Sequence, residues 1–324
     1  MRALVTGAGG FIGSALVRQL IARGDSVTAL VRHASRAAEL AAAGCELIEL
    51  DLAAAPSSAL TDAMRAMDVV FHVAGAYRIG ISRRQRATMF EANVGATRLV
   101  LDAAEAAGTP LTVYTSTANV LGDTAGQAPD ETYRRPQPPR FLSWYDETKY
   151  LAHQLVEERV ATGAPVRIAM PGMVYGPGDH SQAGEQILNA MRGRLRVAAA
   201  TELGGNLVHV EDVAAGHLLI ADHGADGRSY LLGGEMARLG EVLARAAALG
   251  GQAAPRARIP SSLLRAMAPL GDMAAQLSDR IPNFGELVRA GVNVTYWFSD
   301  ARARSELGYT PRDLDAGLRT LLPA

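Results

Sequence analysis

Lysine and cysteine are nearly absent from this 324-residue chain. Of its 32 basic residues 31 are arginine and one is Lys149, and Cys45 is the only thiol. A lone cysteine excludes an internal disulfide and leaves no cysteine-based metal site to expect. No histidine pair has metal-ligand spacing either, so His72, His153 and His209 give no reason to assign a metal. Charge of one sign is missing too. The formal net charge is −1 and the isoelectric point near 6.7, which points to neither nucleic acid nor an anionic membrane as partner. No apolar run reaches the roughly 18 residues of a membrane span. The first strand pattern begins at residue 2, which leaves no room for a cleaved leader and makes the cytoplasm the expected location. Internal repeats of roughly 20–50 residues are absent. The length suits one large α/β domain with a smaller lobe.

The surviving lysine stands four residues after Tyr145 in Tyr-Asp-Glu-Thr-Lys. Side chains at i and i+4 project from one face of a helix. A compact ammonium beside a phenol favours the phenolate and lowers a pKa that starts near about 10, which suits a tyrosine to acid/base work. Arginine, with its wide planar fork, is a poor substitute there. On its own such a pair is a weak signal and reads first as a solvated helix face.

A second signal opens the chain. The β-branched run at residues 2–6 leads into Gly7-Ala-Gly-Gly10-Phe11-Ile12-Gly13, followed by apolar residues at helical spacing until Gly24. Strand, glycine turn and helix form the setting in which glycines bind phosphate. Gly7 permits the turn, Gly10 lets a pyrophosphate approach the backbone and Gly13 lets the helix lie close to the strand. The helix N-terminus then offers free N–H groups to the phosphates.

Short apolar runs at 27–31, 45–50, 69–73, 111–115 and 166–170 alternate with helical patterns at 36–43, 58–67, 86–107 and 145–162. This alternation predicts an α/β fold with a doubly wound parallel sheet of Rossmann type and a smaller C-terminal substrate lobe. Ligands of such sheets bind at the strand C-terminal ends, where Arg32, Asp51, Ala74-Gly75, Ser116-Thr117 and residues 171–174 fall. Runs at 207–213 and 230–234 read as strands returning to the sheet. The expected division is a dinucleotide-binding domain over 1–172, with 206–234 returning to it, and a substrate-binding lobe formed mainly by 173–205 and 235–324.

Thr6-Gly7-x-x-Gly10-x-x-Gly13, Asp51-Leu52, Ala74-Gly75, Asn93-Val-x-Ala-Thr97, Thr115-Ser-Thr-Ala118, Tyr145-x-x-x-Lys149 and Val174-Tyr-Gly-Pro-Gly178 occur in this order. The chain thereby resembles the extended short-chain dehydrogenase/reductases, the NAD-dependent epimerase/dehydratase family, over essentially its whole length. Within it the chain looks most like the dihydroflavonol-reductase-like branch, which includes the hopanoid-associated sugar epimerases. The resemblance implies that Tyr145 is the catalytic acid/base and that Lys149 holds the nicotinamide ribose and lowers the tyrosine pKa. It implies that Thr117 orients the substrate where most members have serine, with Ser116 supporting it. Asn93 matches an asparagine near the active-site floor, or alternatively one that pins a backbone end. Cofactor contacts carry over to Gly7, Gly10, Phe11, Ile12, Gly13, Asp51, Leu52, Ala74, Ala76, Thr115, Tyr145, Lys149, Pro171 and Val174. The chemistry implied is reduction of a carbonyl, with Tyr145 delivering the proton.

Arg32 stands where an NAD-preferring enzyme usually places a carboxylate, and Arg36 lies within reach of it, so NADP is the preferred cofactor and NAD the alternative. Asp51 could instead cap the following helix. Tyr77, Met89, Phe141, Trp144, Met173 and Tyr175 are expected to ring an apolar or aromatic substrate pocket, with Tyr77, Thr117, Trp144, Met173 and Tyr175 touching substrate. Arg83, Arg84, Arg86, Arg134 and Arg135 read as solvated faces. Gly204-Gly205-Asn206 occupies the place where sugar-nucleotide enzymes of the family carry an arginine clamp, which argues for a smaller or non-phosphorylated substrate. The expected function is NADPH-dependent reduction of a ketone or aldehyde. The alternatives are a nucleotide-sugar epimerase or dehydratase with tightly bound NAD, and a non-catalytic NADP-binding protein. Helices 86–107 and 145–162 match those that pair subunits in the family, so a homodimer is expected.

Overall fold

In the computed structural model, which describes residues 1–322 and only the backbone of Arg36, seven strands form one parallel sheet. They are β1 (Arg2–Thr6), β2 (Ser26–Val31), β3 (Glu46–Glu49), β4 (Val69–His72), β5 (Thr112–Thr115), β6 (Val166–Pro171) and the strand Ser229–Leu232. Their spatial order is Ser229–Leu232, β6, β5, β4, β1, β2, β3. The chain therefore reverses its direction of winding between β1 and β4, and the crevice at that switch point is where open α/β sheets take ligands.

Alternation along each strand distributes the core. Ala3, Val5, Ala29, Val31, Phe71 and Val113 pack under helices Phe11–Ala22 and Val210–His223 on one face. Leu4, Leu30 and Val70 pack under helices Ser57–Met64 and Ala96–Ala107 on the other. Tyr114, Ile168 and Met170 continue that second face beneath helix Trp144–Ala161. Each of the five expected strands lies within a residue or two of its predicted limits.

A second sheet forms the smaller lobe. Strand Gly204–His209 pairs antiparallel with Glu235–Arg238 and parallel with Thr295–Tyr296 and Met173–Tyr175. Of the two runs expected to return to the main sheet only Ser229–Leu232 does so, lying parallel to β6. Residues 204–209 belong to the second sheet instead, and 210–213 open a helix. The reason is visible at His209, whose ring nitrogen Nδ1 accepts from the Glu211 N–H at 3.2 Å and starts the helix there.

Candidate active site

The glycine turn is built as close approach demands. Gly7 has φ +68°, and a Cβ there would lie 2.7 Å from the Ala74 backbone leaving β4. A Cβ on Gly13 would meet the Gly7 carbonyl oxygen at 2.1 Å. Helix Phe11–Ala22 starts at Gly10 with no side-chain cap, so the N–H groups of its first turn, at Phe11, Ile12 and Gly13, are open to an anionic ligand. The Thr6 hydroxyl accepts from the Ala74 N–H at 3.2 Å and ties the turn to the β4 exit. This cradle fits a dinucleotide pyrophosphate.

Along the rim of that crevice, Arg32 is exposed at the end of β2, while the side chain of Arg36 lies outside the described residues. Asp51 accepts from the Ala53 N–H at 3.1 Å, closing a turn. Capping of the following helix is excluded, because that helix begins only at Ser57 with Pro56 before it. Leu52 packs against the core, Thr115 bonds His217 at 2.9 Å, and Pro171 and Val174 flank the exit of β6.

Helix Trp144–Ala161 carries Tyr145 and Lys149 on one buried face. Its start is fixed twice. The Ser143 hydroxyl accepts from the Asp146 N–H at 3.0 Å, and Asp146 receives both terminal nitrogens of Arg135, each at 2.7 Å. The Arg135 and Asp146 side chains are 5% and 1% exposed. Arg135 is thus a buried partner at the start of helix Trp144–Ala161 and not a solvated arginine, which corrects the expectation. Nothing in the spacing of residues 135 and 146 announces the pair. Its neighbour Arg134 is exposed as expected.

Thr117, at the exit of β5, caps a short helix by accepting from the Asn119 N–H at 3.2 Å, and its hydroxyl acts on the Tyr145 phenol to favour the ionised form. Ser116 turns away to His153 at 2.9 Å. The Lys149 ammonium donates to the Thr115 carbonyl at 2.9 Å and to the Tyr114 hydroxyl at 3.4 Å, 5.1 Å from that ring's centre. Burial lowers its pKa to about 8. Tyr145 is raised above the usual phenol value by burial, with the Tyr77 phenol and Asp146 acting the same way and the Thr117 hydroxyl opposing them. The expected lowering by Lys149 is therefore not found. Desolvation of a phenol 8% exposed is the first cause, and the ammonium is turned toward the Thr115 carbonyl.

Asn93 sits in a single π-helical turn, Glu91–Gly95, a feature that often marks functional sites. Its side-chain oxygen accepts from the Ala76 N–H at 2.7 Å. Its amide donates to the Ala76 carbonyl at 3.1 Å and to Thr148 at 2.9 Å. Both amide donors are engaged, so Asn93 meets the alternative of a pinning asparagine, holding the segment that leads to Tyr77.

Tyr77 stands edge-on to Tyr145, ring centres 4.8 Å apart. Ala76, Ile81, Met89 and Trp144 pack around the Tyr145 ring as an apolar wall. The Trp144 indole donates to the Arg86 carbonyl at 2.9 Å, and its backbone N–H donates to Glu286 at 2.7 Å. Two of the expected pocket aromatics are placed elsewhere. Tyr175 is 2% exposed, with its hydroxyl 3.3 Å from the Leu314 carbonyl, because strand Met173–Tyr175 belongs to the second sheet. Met173 packs with it against Gly205. Phe141 packs at a tilt against Tyr150, ring centres 5.5 Å apart, beneath Arg135. Asp179 was passed over by sequence reasoning. It is buried, one carboxylate oxygen lacks a partner, and it bears on the Tyr77 phenol. His72 is a satisfied core histidine between Thr6 and Thr97, at 2.9 and 3.1 Å. Clefts of about 460 and 470 Å³ lie beyond the sheet edge around Glu131, Tyr133 and Arg302, away from Tyr145.

Residues 3–233 match the NAD dependent epimerase/dehydratase family, and the chain belongs to it as an NAD(P)-dependent oxidoreductase of the extended short-chain type. A Synechocystis protein named as a candidate dihydroflavonol 4-reductase is 35% identical over 263 residues, covering 79% of this chain and 74% of its own. A 4-hydroxy-2-methyl-3-oxo-4-farnesyl-3,4-dihydroquinoline-1-oxide ketoreductase of Stigmatella aurantiaca is 33% identical over 319 residues, 96% of this chain and 92% of its own. Among solved structures, gox2253 superposes with a TM-score of 0.81 at 32% identity, covering 98% of this chain and 96% of that one.

Proposed function

We propose that the protein reduces the carbonyl of a lipophilic small molecule at the expense of NADPH. The observation that carries this reading is the buried Tyr145 phenol, acted on by the Thr117 hydroxyl and set inside the apolar wall of Ala76, Ile81, Met89 and Trp144. A dihydronicotinamide supplies the reducing equivalent when bound. The chain's own residues do the rest. Thr117 and Tyr145 hold the carbonyl oxygen, the phenol gives it a proton, and the raised pKa of Tyr145 keeps that proton in place at neutral pH. Lys149, four residues along the same helix, would hold the ribose hydroxyls of the cofactor, and its positive charge would steady the phenolate left once Tyr145 has given up its proton. Asn93 positions Ala76 and Tyr77 over the reacting centre.

Support for a lipophilic substrate comes from two sides. Asn206 pairs both ways with the Phe298 backbone, at 3.0 and 3.1 Å, so the segment in place of the arginine clamp is committed to packing. The Stigmatella relative, named as a ketoreductase of a farnesylated quinoline oxide, has a substrate of this class. Purified protein should therefore oxidise added NADPH in proportion to product with an apolar ketone or aldehyde, and Tyr145→Phe should not. Protein that carries tightly held NAD and interconverts sugar nucleotides without added cofactor would put the epimerase reading in its place.

Arg32 supports the choice of NADPH, because a guanidinium there attracts a ribose 2′-phosphate that a carboxylate would repel. Arg32→Asp should weaken NADP binding about ten- to a hundredfold, the usual worth of a charge-assisted contact, and leave NAD nearly unchanged. Equal wild-type dissociation constants for the two cofactors would end this assignment.

A further inference from the structure

Helix Ser261–Leu277 carries more apolar surface than its neighbour covers. Leu264 and Ala268 are buried against Val288 and Val292 of the following helix segment, and Ala275 is buried on the same side, as an amphipathic helix requires. A second apolar row, Leu263, Met267, Leu270, Met273 and Leu277, runs along the opposite side and is exposed, Leu270 by 61% and Leu277 by 80%. Ile281 extends it past the helix end. At 100° per residue the two rows merge into one apolar arc, and Ser262, Arg265, Asp272 and Gln276 are confined to the remaining narrow strip. A contiguous exposed row of this kind marks an interaction surface.

The charges around the row have one free sign. Asp279 is matched to Arg83 and Asp272 to Arg289. Arg84, Arg256, Arg258, Arg265 and Arg280 are exposed and without an ion-pair partner among the described residues. The nearly neutral total averages this rim away, so the overall charge gave no hint of it. Packing two copies through this face about a twofold axis would set the arginines of one against those of the other. Anionic headgroups would meet them favourably while the apolar row enters the acyl boundary, the arrangement of an interfacial helix. No helix among the described residues is long and apolar enough to cross a membrane, so the contact would be in the plane of the surface.

The same helix pair adjoins the crevice. The Asn283 N–H donates to the Gly80 carbonyl at 3.0 Å and the Arg84 N–H to the Asp279 carbonyl at 3.0 Å. Glu286 receives the Trp144 backbone N–H at 2.7 Å. Ile81, carried between Gly80 and Arg84, and Trp144, both of which wall Tyr145, therefore hang on the segment that bears the exposed row.

We infer that the Leu263–Met267–Leu270–Met273–Leu277 face, with its arginine rim, docks on an anionic lipid bilayer and sets the mouth of the crevice at the membrane surface. The purpose, uptake of a lipophilic substrate from the bilayer, rests on the reductase reading above. The docking itself does not. The test is co-sedimentation of the full chain with vesicles of phosphatidylglycerol and phosphatidylcholine, and with phosphatidylcholine alone, at low and high salt. The wild type should pellet with the anionic vesicles, less so at high salt, and only weakly with neutral ones. Leu270→Glu/Leu277→Glu should weaken vesicle binding about tenfold or more, as the loss of two inserted leucines implies. These side chains are exposed and outside the site, so NADPH binding by the variant should be unchanged and verifies its fold. Wild-type protein that stays in the supernatant with anionic vesicles at low salt, or a variant that binds them as the wild type does, overturns the inference. So does self-association abolished by the same pair of substitutions without any vesicle binding. Reduction of a water-soluble carbonyl, measured without vesicles, reports on the reductase reading separately.

Discussion

At the scale of single residues, Lys149 and Tyr145 carry the most specific expectations. Burial holds the Lys149 pKa down at about 8, and the charged form is the one that can hold ribose hydroxyls and steady a phenolate. Reductase kcat/KM should therefore fall as pH rises through about 8, and a profile flat to pH 10 would remove Lys149 from this role. Lys149→Arg should fold normally yet lose most of its turnover, because a planar guanidinium cannot occupy the narrow space over Tyr114 and below the ribose together. Tyr145→Phe should lose about 10²–10⁴-fold, the usual worth of a positioned proton donor, as read in single-turnover reduction.

Among elements, the start of helix Trp144–Ala161 decides where the phenol stands. The buried Arg135–Asp146 pair and the Ser143 cap act on the same turn. Removing one member of a buried pair leaves an unmatched charge, typically a loss of about 3–5 kcal/mol, against about 1 kcal/mol for a cap. Urea denaturation should rank Arg135→Ala well below Ser143→Ala in stability. Equal effects would mean that the pair is only a local ornament of the loop. The helix itself was legible in the sequence, since Tyr145, Lys149 and their apolar neighbours repeat at helical spacing. The brace was not, because it joins a loop arginine to a helix aspartate, and apolar periodicity marks which apolar face is buried but not which charged residues are buried as a pair. Tyr175 shows the same limit. Its place after β6 suggested the crevice, yet the strand it belongs to pairs with Gly204–His209, and a pairing partner that far along the chain leaves no mark on a local pattern.

The whole molecule was legible where local rules and topology agree. The five expected strands lie in the parallel sheet and the four helical patterns and the glycine turn beside it, where each element follows the last and short motifs suffice. The smaller lobe was read less well, because its sheet collects strands from residues 173, 204, 235 and 295 onward. Sheet burial also sets how the protein responds to acid. His72 and His217 lie on opposite sides of the active-site strands with pKa values lowered to about 3 and about 4, chiefly by burial. Both bind a proton in the unfolded chain below about pH 6.5 but remain neutral when folded. Stability should therefore be full above that value and decline as pH falls toward 4, by about 2 kcal/mol for each histidine at pH 5. Urea midpoints unchanged between pH 7 and pH 5 would show that the histidines are not held neutral.

The central claim, net reduction with Tyr145 as proton donor, is tested most directly by label transfer from NADPH deuterated at the nicotinamide C4. An apolar ketone incubated with wild-type protein should yield an alcohol with one deuterium at the former carbonyl carbon and one equivalent of NADP per alcohol, and Tyr145→Phe should form neither at a comparable rate. Label that never reaches the product, with NADPH undiminished while a substrate's stereocentre inverts, would contradict the account.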